Sequence, residues 1–261
     1  MIDTPLHVTR DGPILELVLN VPKANAISAA TSRVMGAAFA NFRDDASLRV
    51  AIVTGAGERF FSAGWDLKGA AAGEPPDADY GVGGFAGLQQ LPGLNKPVIA
   101  AVNGMAVGGG FELALSADMI LAAEHARFSL PEINAGTLAD AATLRLPRRI
   151  PFHIAMELLL TGRWMEAEEA AKWGLVNEIL PAADLLPRAR ALARMLADGP
   201  PLVFAAIKEV VRDADSLSFQ DAMARITRRG FPAVAALYAS EDQLEGARAF
   251  AEKRRPVWKG R

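Results

Sequence analysis

Short apolar runs typical of β-strands alternate with helix-like segments up to Leu180, and only helix-like segments follow. The first two runs, residues 6–10 and 14–20, flank the turn residues Asp11-Gly12-Pro13, which predicts a β-hairpin. Alternating strands and helices are typical of an α/β domain. We therefore predict an α/β body at residues 1–197 followed by a helical region at residues 198–261. The further strand-like runs lie at residues 50–54, 97–102, 119–122, 126–129 and 176–180.

The ends of several helices carry their own signals. Ser28 is of the residue type that caps helices and precedes a helical pattern reaching Asp44. A second helix is predicted to start in the run Gly108-Gly109-Gly110, and the tract 69–87 is predicted to be a long surface loop. Helices with one apolar face, such as those expected near the C-terminus, pack on the body or on another subunit. These predicted C-terminal helices span residues 184–197, 201–213, 218–238 and 240–253, the last with a capping box formed by Ser240 and Gln243.

The composition excludes several classes of protein. The net charge is -2 and 51% of the residues are apolar, so neither nucleic acid nor a membrane is expected as a partner. No cysteine is present, which excludes disulfides and thiolate chemistry. The most apolar stretch, residues 98–123, is interrupted by Asn103, Glu112 and Asp118, so it does not predict a membrane span. With its polar N-terminus, the chain is predicted to be cytoplasmic.

Familiar motifs for metals, nucleotides and nucleophiles are missing or misplaced. The histidines His7, His125 and His153 lack the spacing of metal ligands, so no metal site is expected. Ser62 lacks the preceding glycine of a nucleophile elbow. The run that starts at Gly81 matches a dinucleotide fingerprint in letters only, because it follows a proline-rich loop and not a strand. The chemistry is therefore expected from carboxylates, backbone N–H groups or a lysine.

Two glycine-bearing segments predict an oxyanion-binding site. Residues 61–67 follow a strand-like run, and residues 103–113 contain the glycine run that precedes a helix. Glycine at a helix N-terminus leaves backbone N–H groups unpaired and accessible. The N–H groups of Gly109 and Trp65 are the candidate donors, and losing one such donor typically costs about 3–4 kcal/mol of transition-state stabilisation.

Two glutamates lie close to these segments. Glu112 follows Gly109 by one helical turn, so its carboxylate falls on the same side as the candidate donors. Glu132 follows Pro131 after another strand-like run. Taken alone, a glutamate in a first helical turn usually stabilises the helix dipole, and a Pro-Glu pair usually forms a turn. Combined with the oxyanion donors, the two predict an acid–base pair in which one carboxylate activates water and the other supplies a proton.

The segments 61–67, 103–113 and 130–133 resemble those of the enoyl-CoA hydratase/isomerase (crotonase) family. The similarity extends from Pro22 to Arg254, which is nearly the whole chain. The resemblance implies a ClpP-like α/β spiral of ββα turns with a C-terminal helical trimerisation region. It also implies that the protein forms a homotrimer or a dimer of trimers.

The same resemblance implies roles for the candidate residues. The N–H groups of Trp65 and Gly109 would hold the thioester oxygen of an acyl-CoA. Glu112 would activate a water molecule, and Glu132 would donate a proton to Cα. Isomerases that move a double bond from position 3 to position 2 commonly keep only the second glutamate. The presence of both therefore favours adding or removing water across the double bond.

Substrate contacts are also implied by the resemblance. The loop at Lys23, Ala24 and Ala26 would lie beside the adenine of coenzyme A. Phe250 and Lys253 would reach the same group from the C-terminal helix of a neighbouring subunit. Coenzyme A is part of the substrate, and no tightly bound cofactor is expected. The other expected substrate contacts are Ala63, Asp66, Leu67, Pro131 and Asp140.

A closer resemblance within the family rests on segments 42–45, 54–58, 60–68, 76–79 and 252–261. These segments are similar to those of carnitinyl-CoA dehydratases, which interconvert carnitinyl-CoA and crotonobetainyl-CoA. A trimethylammonium group suits aromatic faces, and Trp65, Tyr80 and Phe85 are the candidates for such contacts. Asp140 is expected to face this cationic tail.

One segment departs from the family pattern. After Gly136 the family usually has a proline and a glycine pair, whereas residues 137–143 read Thr-Leu-Ala-Asp-Ala-Ala-Thr, one residue shorter than in carnitinyl-CoA dehydratases. This segment lines the acyl pocket in the family. Two alternatives therefore stay open. One is a general enoyl-CoA hydratase or isomerase of fatty-acid or aromatic degradation, and the other is a catalytically impaired acyl-CoA-binding protein.

Overall fold

The structure, a computed structural model, describes residues 4–75 and 77–261, so residues 1–3 and Pro76 of the segment 76–79 lie outside the described residues. The strands are β1 (Leu6–Asp11), β2 (Ile14–Leu19), β3 (Ala26–Ile27), β4 (Val50–Gly55), β5 (Phe60–Ser62), β6 (Gly64–Trp65), β7 (Val98–Val102), β8 (Met105–Val107), β9 (Met119–Ala123), β10 (Arg127–Ser129), β11 (Met165–Glu166) and β12 (Glu178–Leu180). The α-helices are α1 (Ala29–Asp44), α2 (Leu67–Ala71), α3 (Gly109–Ser116), α4 (Glu132–Ala135), α5 (Asp140–Arg145), α6 (Phe152–Thr161), α7 (Ala167–Lys172), α8 (Ala182–Ala197), α9 (Pro201–Asp213), α10 (Phe219–Thr227), α11 (Pro232–Ala239) and α12 (Glu245–Ala251). Short 3₁₀ turns lie at Phe85–Gly87, Leu146–Arg148 and Glu241–Leu244.

The strands form two main sheets whose members alternate along the chain. The larger sheet has the order β1-β2-β4-β7-β9-β12, antiparallel between β1 and β2 and parallel elsewhere. The smaller sheet has the order β11-β10-β8-β5, parallel from β10 to β5. The pairs β4–β5, β7–β8 and β9–β10 each give one strand to each sheet. A helix follows each pair, so the chain winds as successive ββα turns.

Strand β4 illustrates how the larger sheet is buried on both faces. All of its residues are buried, and alternate side chains of a strand point to opposite faces. Val50 and Ile52 pack in one apolar cluster with α8. Ala51 and Val53 belong to the main core, which also contains the buried face of α1. Burial on both sides accounts for the uninterrupted apolar run at this strand.

The C-terminal helices have an apolar cluster of their own. Its buried centre consists of Ala206 on α9, Val234 on α11 and Phe231 immediately before α11. A polar link joins these helices to the body, because Lys208 Nζ pairs with an Asp118 carboxylate oxygen at 2.7 Å. The predicted boundary between residues 197 and 198 stays a prediction.

The helix predicted at residues 218–238 is wrong in its extent, because two helices, α10 and α11, occupy this region. Pro232 is the first residue of α11, a position where its missing N–H has no helical partner to lose. Between the two helices, Arg229 has a positive φ of 54°. A proline within the predicted helix therefore outweighs the helical periodicity on either side of it.

The prediction for residues 240–253 also needs correction. This stretch begins with a 3₁₀ turn, continues as α12 and ends its helical part at Ala251. The predicted capping box is wrong. Ser240 Oγ donates a hydrogen bond back to Leu237 O at 2.7 Å and caps no helix N–H.

The remaining predicted elements agree with the structure to within a few residues. The hairpin β1–β2 forms, and Ser28 Oγ accepts from Thr31 N at 3.1 Å as the cap of α1. Helix α3 starts within the glycine run, at Gly109. In the predicted loop 69–87, short helical turns occupy both ends. Across residues 4–75 and 77–261, none of the helices is both long and apolar enough to cross a membrane.

Candidate active site

Three neighbouring strands of the smaller sheet bring the predicted site segments together. Strand β8 lies between β5 and β10 and pairs with both in parallel. Parallel strands end on the same side of a sheet, so the segments that leave them start side by side. Trp65 follows β5, and Glu132 follows β10. Gly109 and Glu112 follow β8, between the other two.

Gly64 allows the turn at Trp65 to lie against the start of α3. Its φ is +78°, and a Cβ at this position would lie 2.5 Å from Val107 O and 2.8 Å from Gly109 N. Any residue other than glycine would push the two turns apart. Gly109 is the first residue of α3, where backbone N–H groups have no partner within the helix. The backbones of the two candidate oxyanion donors therefore lie in adjacent turns.

Glu112 is 6% exposed and is held by two neutral donors. Its Oε1 accepts from Ala142 N at 2.9 Å, and its Oε2 accepts from Gln89 Nε2 at 3.0 Å. Burial raises the pKa of Glu112 above its ordinary range, whereas these hydrogen bonds favour the charged form and oppose the rise. Because each carboxylate oxygen has two lone pairs, Glu112 keeps acceptor capacity for a water molecule.

Glu132 has a different environment. Its Oε2 is buried without a hydrogen-bond partner among the described residues. Its Oε1 lies over Gly108, where a Cβ would be only 2.6 Å away. Burial, reinforced by the negative charges of Glu112 and Asp140, raises the pKa of Glu132 to about 7. A carboxyl group with such a pKa can hold and release a proton near neutral pH.

Both glutamates line one cavity of about 440 Å³. Five carboxylate residues contribute to its wall, and no lysine, arginine or histidine of residues 4–75 and 77–261 does. In the same described ranges, no group of three side chains is placed to hold a metal ion. The carboxylate and aromatic residues of the wall are Trp65, Asp77, Asp79, Tyr80, Phe85, Glu112, Glu132 and Asp140.

A larger cavity, about 1050 Å³, lies between the body and α9. Neither glutamate lines it, and neither candidate oxyanion donor does. Arg145 lines this larger cavity and contacts residues next to the acid–base pair. Its Nη2 donates to Gln89 O at 2.7 Å, and it also hydrogen-bonds Ser116 Oγ. Size alone therefore does not identify the site, because the acid–base pair faces the smaller cavity.

The predicted adenine loop lies beside the segment that leads to Trp65. Ala63 N donates to Ala24 O at 2.9 Å, and Ala26 pairs with β6. The buried Asn25 side chain donates to two backbone carbonyls at 3.0 Å each and so fixes the loop. Lys23 is exposed, with a φ of 77°. These residues adjoin the cavity but are not in its wall.

Five other predicted contacts lie outside the cavity wall. Asp66 accepts from the backbone N–H two residues on, as the cap of α2, and the next residue, Leu67, is 65% exposed. Pro131 immediately precedes α4. The structure does not bring Phe250 and Lys253 to the cavity of the same chain. Phe250 is 87% exposed on α12, and Lys253 follows that helix with a φ of 53°.

Gln89 and Ala142, which hold Glu112, were not predicted as site residues. Gln89 lies 23 positions before Glu112 in an apolar stretch, and nothing in the sequence distinguishes it from Gln90. Ala142 belongs to the segment 137–143 that departs from the family pattern. A backbone N–H is available whatever the side chain, so the changed sequence still supplies a donor to Glu112.

Comparison with known proteins identifies the family of this chain. The sequence profile of the family described as enoyl-CoA hydratase/isomerase matches residues 9–261. A carnitinyl-CoA dehydratase of Salmonella typhi is 56% identical over 257 residues, which cover 98% of this chain and 98% of that protein.

Solved structures extend the similarity to the fold. An enoyl-CoA hydratase from Mycobacterium tuberculosis H37Rv has a TM-score of 0.90 and 40% identity, with 99% of this chain and 100% of that chain covered. A carnitinyl-CoA hydratase from Mycobacterium avium has a TM-score of 0.77 and 39% identity, with 99% of each chain covered. The predicted α/β crotonase fold is thus confirmed. From its sequence profile, its fold and its relatives, the chain belongs to the enoyl-CoA hydratase/isomerase family.

Proposed function

We propose that this member of the family, a hydro-lyase of the enoyl-CoA hydratase type, interconverts crotonobetainyl-CoA and carnitinyl-CoA. The observation that carries the chemistry is that Glu112 and Glu132 line one cavity in contrasting environments. Two neutral donors hold Glu112 and favour its charged form. Glu132 has a buried oxygen without a described partner and a pKa raised to about 7, mainly by burial. The first suits a general base and the second a general acid.

In the proposed hydration, the N–H groups of Trp65 and Gly109 donate to the thioester carbonyl oxygen. They stabilise the negative charge that collects there and so draw electrons from the C2=C3 double bond. Glu112 takes a proton from water as the water oxygen bonds to C3. Glu132 gives its proton to C2. The cycle leaves the proton on Glu112, and exchange with solvent restores the starting state.

Two further observations bear on the alternatives left open by the sequence. Moving a double bond needs one group that carries a proton between two carbons, whereas adding water needs a second group to activate the water. The two distinct carboxylates therefore favour hydratase chemistry. The donor from Ala142 to Glu112 argues against a catalytically impaired binding protein, because the altered segment still orients the proposed base.

The substrate proposal draws on the relatives. The names carnitinyl-CoA dehydratase and carnitinyl-CoA hydratase belong to proteins 56% and 39% identical to this chain. An acyl-CoA thioester is proposed as the substrate class, with coenzyme A as part of the substrate and no tightly bound cofactor.

We also propose that residues 198–261 form an oligomerisation region on a core of residues 1–197, giving a homotrimer or a dimer of trimers. The separate apolar cluster of α9 to α11 supports this division. Phe250, 87% exposed on α12, has the character of a residue buried against another chain. In the proposed assembly, Phe250 and Lys253 contact coenzyme A in the neighbouring subunit. The cytoplasmic location stays a prediction.

Incubation with crotonobetainyl-CoA and, separately, with crotonyl-CoA tests the proposal. Hydration removes the absorbance of the enoyl thioester, and kcat/KM is expected to be greater for crotonobetainyl-CoA. A preference for crotonyl-CoA would instead support a general enoyl-CoA hydratase. Binding of both thioesters without turnover would support a binding protein.

The proposed roles of the two glutamates are tested by Glu112→Gln and Glu132→Gln. Each removes one proton-transfer group at nearly constant volume, so kcat should fall by roughly 10²–10⁴. Near-normal turnover by either variant would contradict the role assigned to that residue. Glu124→Gln, which changes an exposed carboxylate outside the cavity, is the matched control.

A further inference from the structure

We propose that Asp140, with the rings of Tyr80 and Phe85, forms a subsite that selects a quaternary ammonium group on the acyl chain. This inference rests on the proposed function, because it concerns how the same cavity distinguishes a cationic from a neutral acyl group. Asp140 would be the specificity-determining charge, and the two rings would supply the contact surface.

Among the described residues, the charged side chains of the cavity wall are all acidic. Five carboxylate residues line it, and no basic side chain of residues 4–75 and 77–261 does. Such a wall disfavours a second anionic group in the acyl chain and favours a cation. Glu112 and Glu132 are needed for proton transfer in the proposed reaction. The carboxylates available for recognition alone are therefore Asp77, Asp79 and Asp140.

Of these three, Asp140 has the position most closely tied to the reacting atoms. It lies in the first turn of α5, and two residues later Ala142 N donates to Glu112 Oε1 at 2.9 Å. Its negative charge contributes to raising the pKa of Glu112, of Glu132 and of Tyr80. Within the described ranges, no ion pair to Asp140 is formed, so its charge is not neutralised by a neighbouring cation.

The chemistry of the acyl group places its charge in the same region. In a carnitinyl group the quaternary nitrogen is bonded to C4, next to the C3 that gains the hydroxyl. In the proposed reaction, the cation therefore lies beside the water that Glu112 activates. Among the carboxylates not needed for proton transfer, Asp140 is the one whose helix also contacts Glu112.

The aromatic pair matches the other property of such a cation. A trimethylammonium group has no N–H to donate, so it is recognised by aromatic faces and by unpaired negative charge. Tyr80 and Phe85 pack edge to face, with ring centroids 5.4 Å apart and planes at 68°. A Cβ at Gly109 would clash with the Phe85 ring, so this ring lies directly at the proposed oxyanion donor. The pair thus extends from the thioester position toward the loop 77–81.

Two unreactive thioesters test the subsite independently of turnover. 4-(Trimethylammonio)butanoyl-CoA carries the cation, and 5,5-dimethylhexanoyl-CoA has the same shape with carbon in place of nitrogen. Neither has a double bond to hydrate. Titration calorimetry of the chain of residues 1–261 with each thioester gives a ratio of dissociation constants, and we expect the cationic thioester to bind more tightly.

Asp140→Asn should reduce this preference by about tenfold or more, because the attraction of one unit charge at close range is lost. Tyr80→Leu should reduce it by about 2- to 30-fold, the range of a cation–π contact. The affinity for the neutral thioester should change little in either variant, which shows that the site remains folded. Asp184→Asn is the matched control, since Asp184 also lies exposed in a first helical turn, on α8, and does not line the cavity.

The outcomes separate the subsite from the proposed reaction. Equal affinity of the wild-type protein for the two thioesters would overturn the subsite, as would an unchanged preference in Asp140→Asn. Absence of turnover of crotonobetainyl-CoA would contradict the proposed function alone. A cation preference that depends on Asp140 would support the subsite whether or not turnover is seen.

Discussion

The side-chain amide of Gln89 donates a hydrogen bond to Oε2 of Glu112 at 3.0 Å. Arg145 holds the backbone of Gln89 in turn, by donating to its carbonyl oxygen at 2.7 Å. A neutral donor to a carboxylate stabilises the charged form and fixes its orientation. Gln89 is therefore proposed to position Glu112 as the base.

Replacing Gln89 by alanine should lower kcat by roughly 10- to 100-fold, the effect of losing a hydrogen bond to a charged group. The pKa of Glu112 should rise, because the charged form loses one donor. The acidic limb of the pH dependence of kcat/KM should then move toward neutral pH. The measurement is a pH–rate profile for both proteins.

Gln220→Ala is the control for this change, because Gln220 lies exposed on α10 and does not line the cavity. A purely structural role for Gln89 would lower the amount of active protein without moving the acidic limb. An unmoved limb would therefore contradict the positioning role.

Gly64→Ala tests the close approach of the two oxyanion turns. The added Cβ would lie 2.8 Å from Gly109 N and would force the turns apart. We expect kcat to fall by roughly 10²–10³, the loss typical of one oxyanion donor, with both glutamates still present. The measurement is steady-state turnover together with the free energy of unfolding.

The control variant is Gly57→Ala. Gly57 has nearly the same φ, +79°, but no atom lies within 4 Å of a Cβ there. It therefore imposes similar backbone strain without moving the site. Equal losses of activity in the two variants would show that strain, and not the separation of the donors, is responsible.

The sequence predicts those parts of the site that depend on neighbours along the chain. Glu112 lies one turn beyond Gly109, so a helix that starts in the glycine run is enough to place its carboxylate beside the N–H donors. The strand before Pro131 similarly places Glu132. Gln89 could not be predicted in this way, because its contact with Glu112 depends on the packing of the loop before β7 against α3. No local pattern distinguishes such a glutamine from a surface residue.

The errors in the C-terminal region have a related cause. Apolar periodicity continues through residues 218–238, whereas Pro232 carries the signal for a new helix start, and the two conflict. The effect of Ser240 also depends on context. Its hydroxyl bonds the preceding turn, because the chain beyond it starts as a 3₁₀ turn and offers no regular α-helical N3 position.

The proposed proton transfer predicts a shared pH profile for the two directions. Hydration starts with the proton on Glu132, and dehydration starts with the same single proton on Glu112. Both directions therefore need the pair to hold one proton in total. Since the pKa of Glu132 is raised to about 7, kcat/KM should fall as pH rises above about 7 in both directions.

Initial rates with crotonobetainyl-CoA and carnitinyl-CoA between pH 5 and 9 measure this prediction. A rate that stays constant above neutral pH would contradict Glu132 as the acid. If the rate of one direction fell above neutral pH while the rate of the other rose, the two directions could not depend on a single shared proton.

The raised pKa of Glu132 also predicts a dependence of stability on pH. Its ordinary value is 4.5, and in the folded protein it is about 7. As pH rises from 4.5 toward 7, the unfolded chain releases this proton while the folded protein keeps it. The free energy of unfolding therefore falls over this window, and the loss is complete above it.

Glu132→Gln removes this loss of stability, because glutamine does not titrate. From pH 5 to pH 8, the free energy of unfolding of the variant should rise by about 1–3 kcal/mol relative to that of the wild-type protein. Urea denaturation at the two pH values and one protein concentration measures the difference. Glu124→Gln, at an exposed carboxylate, should show no such gain. Equal behaviour of the two variants would contradict a buried, uncharged Glu132.

The last prediction concerns the proposed assembly. If Phe250 and Lys253 contact coenzyme A in a neighbouring subunit, a chain lacking them can still supply an intact Glu112 to its own site. A chain with Glu112→Gln can likewise supply an intact Phe250 and Lys253 to its neighbour. Mixed trimers of the two variants should therefore contain restored sites. In a ring with random mixing of equal amounts, about one quarter of the sites combine both intact parts.

The experiment co-expresses Glu112→Gln with the double variant Phe250→Ala, Lys253→Ala and measures kcat/KM at low substrate concentration. Activity should exceed the mean of the two variants made separately, because neither alone contains a complete site. Mixing the separately assembled proteins without subunit exchange is the control. If co-expression gives only the mean, each site takes its residues from a single chain, and the 87% exposure of Phe250 then needs a different explanation.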